Sequence, residues 1–205
     1  MNILYTESSP NIGGQELQAV AQMCAMRRLG HTVMLACREH SRISAEARRY
    51  GIPVVHIPFR NSLHPPSVLA LRRLIVTFRP EMVVCHSGHD SNTVGITRRI
   101  LFGGASRFVI IRQKTYMTQN MKMFSLNHMC DVVVVPSEEM RSRLIHEMCR
   151  QSVVVVPPGM DFAELRKQSR EPLPEHIDAW LKKRAPAPVI VQVGMIRPEK
   201  GHDFM

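Results

Sequence analysis

The chain has 205 residues, of which 44% are hydrophobic and 21% charged, and its 27 Lys and Arg against 17 Asp and Glu give a formal net charge of +10. That composition excludes a disordered chain and allows one good core, or one domain with part of another. No apolar run reaches the roughly 20 residues that cross a bilayer, and the N-terminus lacks the basic and long apolar regions of a signal peptide, which predicts a cytosolic protein.

Strand-like and helix-like segments alternate along the chain. A first strand is predicted over Ile3 to Thr6. A helix follows from Gln15 to Leu29, with Leu17, Val20, Ala21, Cys24 and Ala25 at helical spacing and Gly30 at its end. The second strand is HTVMLACR, the next helix RISAEARRYG, and the third strand IPVVHIP. Pro65 and Pro66 open a helix that Pro80 stops. EMVVCHS is the fourth strand, and the helix after it takes Asp90 or Ser91 as its cap. RFVIIRQ, DVVVVPS and SVVVVPPG are the fifth, sixth and seventh strands. Helices QNMKMFSLNHMC and EEMRSRLIHEMC separate them, the second capped by Ser137. The valine runs at 132–135 and 153–156 are continuous, the mark of strands covered on both faces. The whole pattern predicts an α/β fold, a Rossmann-like doubly wound parallel sheet flanked by helices.

Composition changes after Asp161. The expected organisation is a domain over 1–161, a linker with a short helix around Ile177, Trp180 and Leu181 over 162–187, and a new buried strand, VIVQVG, opening a truncated second domain over 188–205. An apolar strand without its own sheet invites pairing, so self-association through 189–193 is expected.

Cys24, Cys37, Cys85, Cys130 and Cys149 form no C-x-x-C pair and read as free thiols of a reducing compartment, with no metal site expected. Arginine doublets carry much of the charge and favour anionic partners, with solvated helix faces as the alternative. Nucleic acid is not expected as a partner, because aromatics are only 5% and none alternate with the basic doublets.

Gly13 and Gly14 stand between the first strand and the first helix. Backbone amides at such a helix start bind anions, and glycine lets a phosphate approach closely. Neither the G-x-G-x-x-G fingerprint nor the P-loop pattern is present, which excludes the usual nicotinamide dehydrogenase reading. A plain turn remains open on the glycines alone.

GGQE after the first strand, VVVVPSEEMRSRLI, VVVVPPGMD and VGMIRPEKG occur in this order. Together with HSGHDSNTVGITRRI they resemble the family 4 (group 1) retaining glycosyltransferases of the GT-B fold, over the front half of such an enzyme. The resemblance implies two Rossmann-like domains, acceptor bound by the N-terminal one and nucleotide-sugar mostly by the C-terminal one, with no metal cofactor. It implies that Gly13 and Gly14 approach the donor diphosphate and that Lys200, with Arg197 as a substitute for the arginine replaced by Met195, neutralises it. The family's E-x7-E segment has no counterpart in this chain, so turnover by the chain alone is not expected. Gln113 occupies the place where many members end the fifth strand with a histidine.

His86 and His89, at the end of the fourth strand, are acceptor-side candidates, with structural histidines as the alternative. Arg112, Gln113 and Lys114 join them, Arg112 and Lys114 as contacts for an acidic or phosphorylated acceptor. The methionine-rich segment around Met117, Met121, Met123 and Met129 reads as a core helix or, with Lys114 and Lys122, as a surface against an anionic membrane. The implied setting is transfer to a saccharide or lipid-linked acceptor in bacterial envelope glycan or lipopolysaccharide assembly, in the cytoplasm or on the inner face of the inner membrane. The alternative is a non-catalytic basic module that binds membrane or acidic glycan.

Overall fold

The computed structural model describes residues 1–103, 107–116, 123–193 and 201. Strand β1 (Asn2–Glu7) is apolar through its middle and lies inside a parallel sheet, paired with β2 (Thr32–Cys37) on one side and β4 (Met82–Cys85) on the other. Beyond β2 lies β3 (Val54–His56), and beyond β4 lie β5 (Val109–Gln113), β6 (Val132–Val135) and β7 (Ser152–Val155). The order is therefore β3-β2-β1-β4-β5-β6-β7. The chain winds outward from β1 to β3, then returns to the other side of β1 to lay down β4. That reversal opens a crevice at the carboxyl ends of β1 and β4, the place where open α/β sheets bind ligands.

Helices α1 (Gly14–Arg28), α2 (Arg42–Arg49), α3 (Pro65–Phe78), α4 (Gly88–Phe102), α5 (Met123–His128) and α6 (Glu138–His146) connect the strands. Period-2 alternation divides the sheet's side chains between two layers. Ile3, Tyr5, Val33, Leu35 and Val84 pack against Ala19, Val20 and Met23 of α1 and Ile43 and Ala47 of α2. Leu4, Ala36, Val83, Cys85, Ile110 and Val133 pack against Leu71 and Ile75 of α3, Val94 of α4, Leu126 of α5 and Leu144 of α6. Each fully buried Leu or Ile stabilises this core by about 1.5–3 kcal/mol.

Local chemistry explains the boundaries. The two prolines start α3, and Arg79, with φ at 50°, ends it before Pro80. Gly103, with φ at 58°, closes α4 in a left-handed conformation that glycine adopts without strain. Ser137 accepts a hydrogen bond from the Met140 amide at 3.3 Å, capping α6 as expected. Arg98 of α4 grips Asp131 ahead of β6 with both guanidinium ends, and Asp131 also accepts the Ile110 amide at 2.8 Å. Burial alone would raise the Asp131 carboxyl, but Arg98 and that amide together hold it below the usual carboxylate range.

Several expectations need correction. Helix α4 starts at Gly88, and its cap is Ser87 rather than Asp90 or Ser91. The Ser87 side chain accepts from the Asp90 amide while the Asp90 carboxylate accepts from the Ser87 amide, a reciprocal box that outcompetes a later start. The seventh strand is not covered on both faces: Val153 and Val155 pack against the core, whereas Val154 is 42% exposed. It is the last strand of the sheet, and α6 lies against the layer that Val153 and Val155 join. VIVQVG forms no strand over its described residues 189–193, where Ile190, Val191 and Val193 are exposed. The helix expected over 119–130 is described only as α5, and Met117, Met121 and Lys122 lie outside the described residues.

The chain divides into two compact units, Met1–Gly159 and Met160–Met205. The second carries α7 (Phe162–Gln168), capped by Asp161, and α8 (Glu175–Arg184), where one short helix was expected. Within α8 the Arg184 guanidinium sits 4.0 Å from the Trp180 ring centroid, and Lys182 pairs with Asp178 one turn back. Neither helix has a buried residue.

Candidate functional site at the sheet's switch point

The crevice is built around Asp90 in the first turn of α4. Its side chain is fully buried and accepts from the Thr6 hydroxyl at 2.8 Å, the His86 amide at 3.1 Å, the Ser87 amide at 2.8 Å and the Ser87 hydroxyl. The Ser8 hydroxyl also meets that of Ser87, tying the end of β1 to the end of β4. The carboxylate thereby locks both strands to the helix that starts the crevice floor.

The same ends are tied on the opposite layer by Gln15. Its amide nitrogen donates to Glu7 Oε2 and to the His86 carbonyl, each at 3.3 Å. Its amide oxygen accepts from the Thr115 hydroxyl at 2.8 Å. Glu7 is buried and accepts the Ser9 amide at 2.8 Å. Burial first, and then the Asp90 charge, push the Glu7 carboxyl up to about 7.

The predicted glycines sit at the mouth of this network. Gly13 is extended, and its amide donates to Glu16 Oε2 at 2.7 Å, so Glu16 already satisfies it. A Cβ on Gly13 would stand 3.3 Å from that oxygen, whereas a Cβ on Gly14 would meet nothing within 4 Å. The open donors are therefore the first-turn amides of α1 that follow Gly13, which lack intrahelical partners by helix geometry.

The strand-end candidates do not converge on one point. His86 is 3% exposed and stacks on Tyr5, with ring centroids 5.9 Å apart. Its Nδ1 faces the Thr6 carbonyl at 3.2 Å, which requires the proton on Nδ1 and leaves Nε2 as an acceptor beside Gln113. Burial lowers the His86 pKa, and Asp90 offsets this only in part, so the ring is held neutral. His89 is exposed on the outer side of α4 and shares no hydrogen bond with His86. Gln113 lies with His86 on the α1 layer. Arg112 lies with Asp90 on the α4 layer, its Nη1 4.0 Å from Asp90 Oδ1. Lys114 is half-buried, and its ammonium lies 5.6 Å from the Tyr116 ring centroid. Arg197 and Lys200 lie outside the described residues.

Sequence reasoning passed over Glu7, Gln15, Thr6 and Thr115. The one available signal was the S-x-x-D spacing of Ser87 and Asp90, which marks a capping box. All five cysteines are free, and among the described residues no group of three His, Cys, Asp or Glu side chains converges on a metal-sized point.

An all-parallel sheet with this strand order and a crevice at its switch point defines a Rossmann-like α/β domain of the kind found in GT-B glycosyltransferases. The profile of Glycosyltransferase Family 4 matches residues 12–164, and the chain belongs to that family. No curated protein matches the chain. Among solved structures, a glycosyltransferase from Rickettsia africae ESF-5 is 16% identical with a TM-score of 0.68, over 92% of this chain and 50% of that one. Anabaena Alr3699/HepE in complex with UDP-glucose is 15% identical with a TM-score of 0.64, over 82% of this chain and 50% of that one. Acinetobacter baumannii MurG is 14% identical with a TM-score of 0.56, over 84% and 50%. The chain thus spans about half the length of these structures, and at such identities they share its fold. Among the described residues no helix is long and apolar enough to cross a membrane.

Proposed function

We propose that the chain is the acceptor-side half of a transferase that moves a sugar from a nucleotide-sugar to a saccharide or lipid-linked saccharide, in assembly of a bacterial envelope glycan or lipopolysaccharide. The observation that carries this reading is the open first turn of α1 at Gly14, set at the switch-point crevice of a chain in Glycosyltransferase Family 4. HepE, with the same fold, holds UDP-glucose. In this reading Gly14 and the following amides approach the donor diphosphate, and the ends of β4 and β5 face the acceptor. Lys200 and Arg197 neutralise the diphosphate from a C-terminal donor domain that catalysis requires, with no metal cofactor. The protein works in the cytoplasm, or at the inner face of the inner membrane.

Amide NMR of the intact chain with millimolar UDP tests the donor side. UDP is expected to shift the Gly14 and Gln15 amides, and Gly14→Ala is expected to abolish those shifts while leaving the melting temperature unchanged or higher, since alanine suits a helix better by up to about 1 kcal/mol. Unperturbed amides at saturating UDP would overturn the glycine-turn role.

A second reading, a basic module that binds anionic membrane or acidic glycan without catalysis, is favoured by the exposure of the Arg27-Arg28 and Arg48-Arg49 doublets. Flotation with anionic vesicles, against neutral ones, decides it.

A further inference from the structure

We propose that the end of β5 holds an anion-binding subsite, formed by Arg112 and Lys114, that receives a phosphate ester or carboxylate carried by the acceptor saccharide. The inference rests on the acceptor role given above to these strand ends and adds the chemical class of the acceptor.

Arg112 is 91% withdrawn from solvent, since its exposure is 9%. Its Nη1 is buried and makes no hydrogen bond among the described residues. A buried guanidinium normally spends its donors on a carboxylate fork. Here the nearest carboxylate, Asp90, already accepts four hydrogen bonds, from Thr6, His86 and twice from Ser87, and Arg112 reaches it only across 4.0 Å. Asp90 compensates the charge but leaves the donor unused. Such an atom in a native site calls for a partner.

Lys114 adds a second cation to the same edge. Lys114 directly follows β5, its amide still donates to the Val134 carbonyl at 2.8 Å, and its ammonium is near enough to feel the Arg112 charge. Among the described residues it forms no ion pair, and its ammonium lies 5.6 Å from the Tyr116 ring centroid. Burial and then the neighbouring Arg112 charge both press its ammonium toward the neutral form, as two adjacent like charges must. Of the two cations only Arg112 has a carboxylate in range, so the Lys114 charge and one Arg112 donor have no carboxylate partner among the described residues. A tetrahedral or planar oxyanion supplies both what the charge and the donor lack, whereas a neutral sugar hydroxyl supplies neither charge nor two acceptor oxygens.

The experiment titrates the intact chain with glucose 6-phosphate, glucuronate and glucose, following backbone amides and fitting affinities. Both anionic sugars, or one of them, should shift Arg112 and Lys114 and bind more tightly than glucose; the phosphate and carboxylate arms identify the oxyanion. Lys114→Gln should weaken that binding about tenfold or more, the usual effect of losing a charged hydrogen-bond partner. Arg112→Gln should do the same, with a melting curve to confirm its fold; Lys114, being half-buried, serves if Arg112→Gln fails to fold. Arg73→Gln, on the exposed side of α3, should leave affinity unchanged. Equal loss in Arg73→Gln and Lys114→Gln means that net charge alone attracts the ligand, and overturns the proposal. So does binding of glucose as tight as that of the anionic sugars, or no binding of either anion. The UDP shifts at Gly14 separate the two readings. UDP shifts without anionic-sugar binding remove only the subsite, while anionic-sugar binding with unmoved Gly14 amides removes the donor role.

Discussion

At the scale of single residues, the site is governed by two buried carboxylates with opposite fates. Asp90 is saturated with donors, which hold its side chain in place. Replacing it with alanine strands the Thr6 and Ser87 hydroxyls, two backbone amides and the Arg112 charge, so Asp90→Ala is expected to cost about 3–5 kcal/mol in urea unfolding. Glu7 has fewer donors, and its carboxyl is raised from 4.5 to about 7. A raised folded-state pKa means that the native protein binds the proton more tightly than the unfolded chain. The contribution is complete below pH 4.5 and is lost as the pH rises through about 7, a change of roughly 3 kcal/mol. Glu7→Gln, which keeps the shape without the charge, is expected to gain stability over the parent at pH 8 and to match it near pH 4.5. Denaturation at the two pH values checks this; an equal difference at both would contradict it. The groups facing Glu7, namely Asp90, Glu16, Gln15 and Ser9, are the same residues in parent and variant.

At the scale of elements, α4 is the hub. Its first turn caps on Ser87, its middle packs against α3 and the sheet, and Arg98 clamps Asp131 ahead of β6. Gly95 lets the segment after α5 come close: a Cβ there would stand 2.9 Å from the Met129 carbonyl oxygen and 3.0 Å from its Cα. Backbone cannot yield as a flexible side chain does. Gly95→Ala is therefore expected to destabilise by about 1–3 kcal/mol through overpacking, partly offset by helix propensity, with thermal unfolding as the measure. The sequence offers Gly95 as an ordinary helix interruption, and only the neighbour's position shows why a side chain is excluded.

For the whole molecule, stability belongs to the Met1–Gly159 unit, whose sheet is filled on both layers across its centre. The apolar residues at 189–193 have no such shelter, with Val193 92% exposed. Exposed apolar segments drive association. The chain is expected to self-associate at high concentration in light scattering, and a chain ending at residue 187 to remain monomeric. Equal masses for the two at all concentrations would contradict this. The order of the strands was legible only as a class. Alternating apolar runs and helix periods predicted a parallel doubly wound sheet, and the boundaries of α3 and α6 followed from proline and serine chemistry. The box at Ser87 was misplaced because Asp90 and Ser91 are equally good caps in isolation, and only the carboxylate's grip on the preceding strand ends selects the earlier start.

The sequence by itself determined the alternation of elements, the burial pattern of the central strands and the membership in a glycosyltransferase family, because these depend on periodicity and on short motifs that neighbours in the chain can carry. It named Gly14, Arg112 and Lys114 from their places at element ends. Tertiary structure decided how those residues relate. It put Gln113 with His86 on one layer and Arg112 with Asp90 on the other, left His89 outside, gave the Gly13 amide to Glu16 and brought Glu7, Gln15 and Thr115 together from separate strand and helix ends. The physical reason is that a strand sends successive side chains to opposite faces, and which partners wait on each face is set by the pairing of strands far apart in the chain.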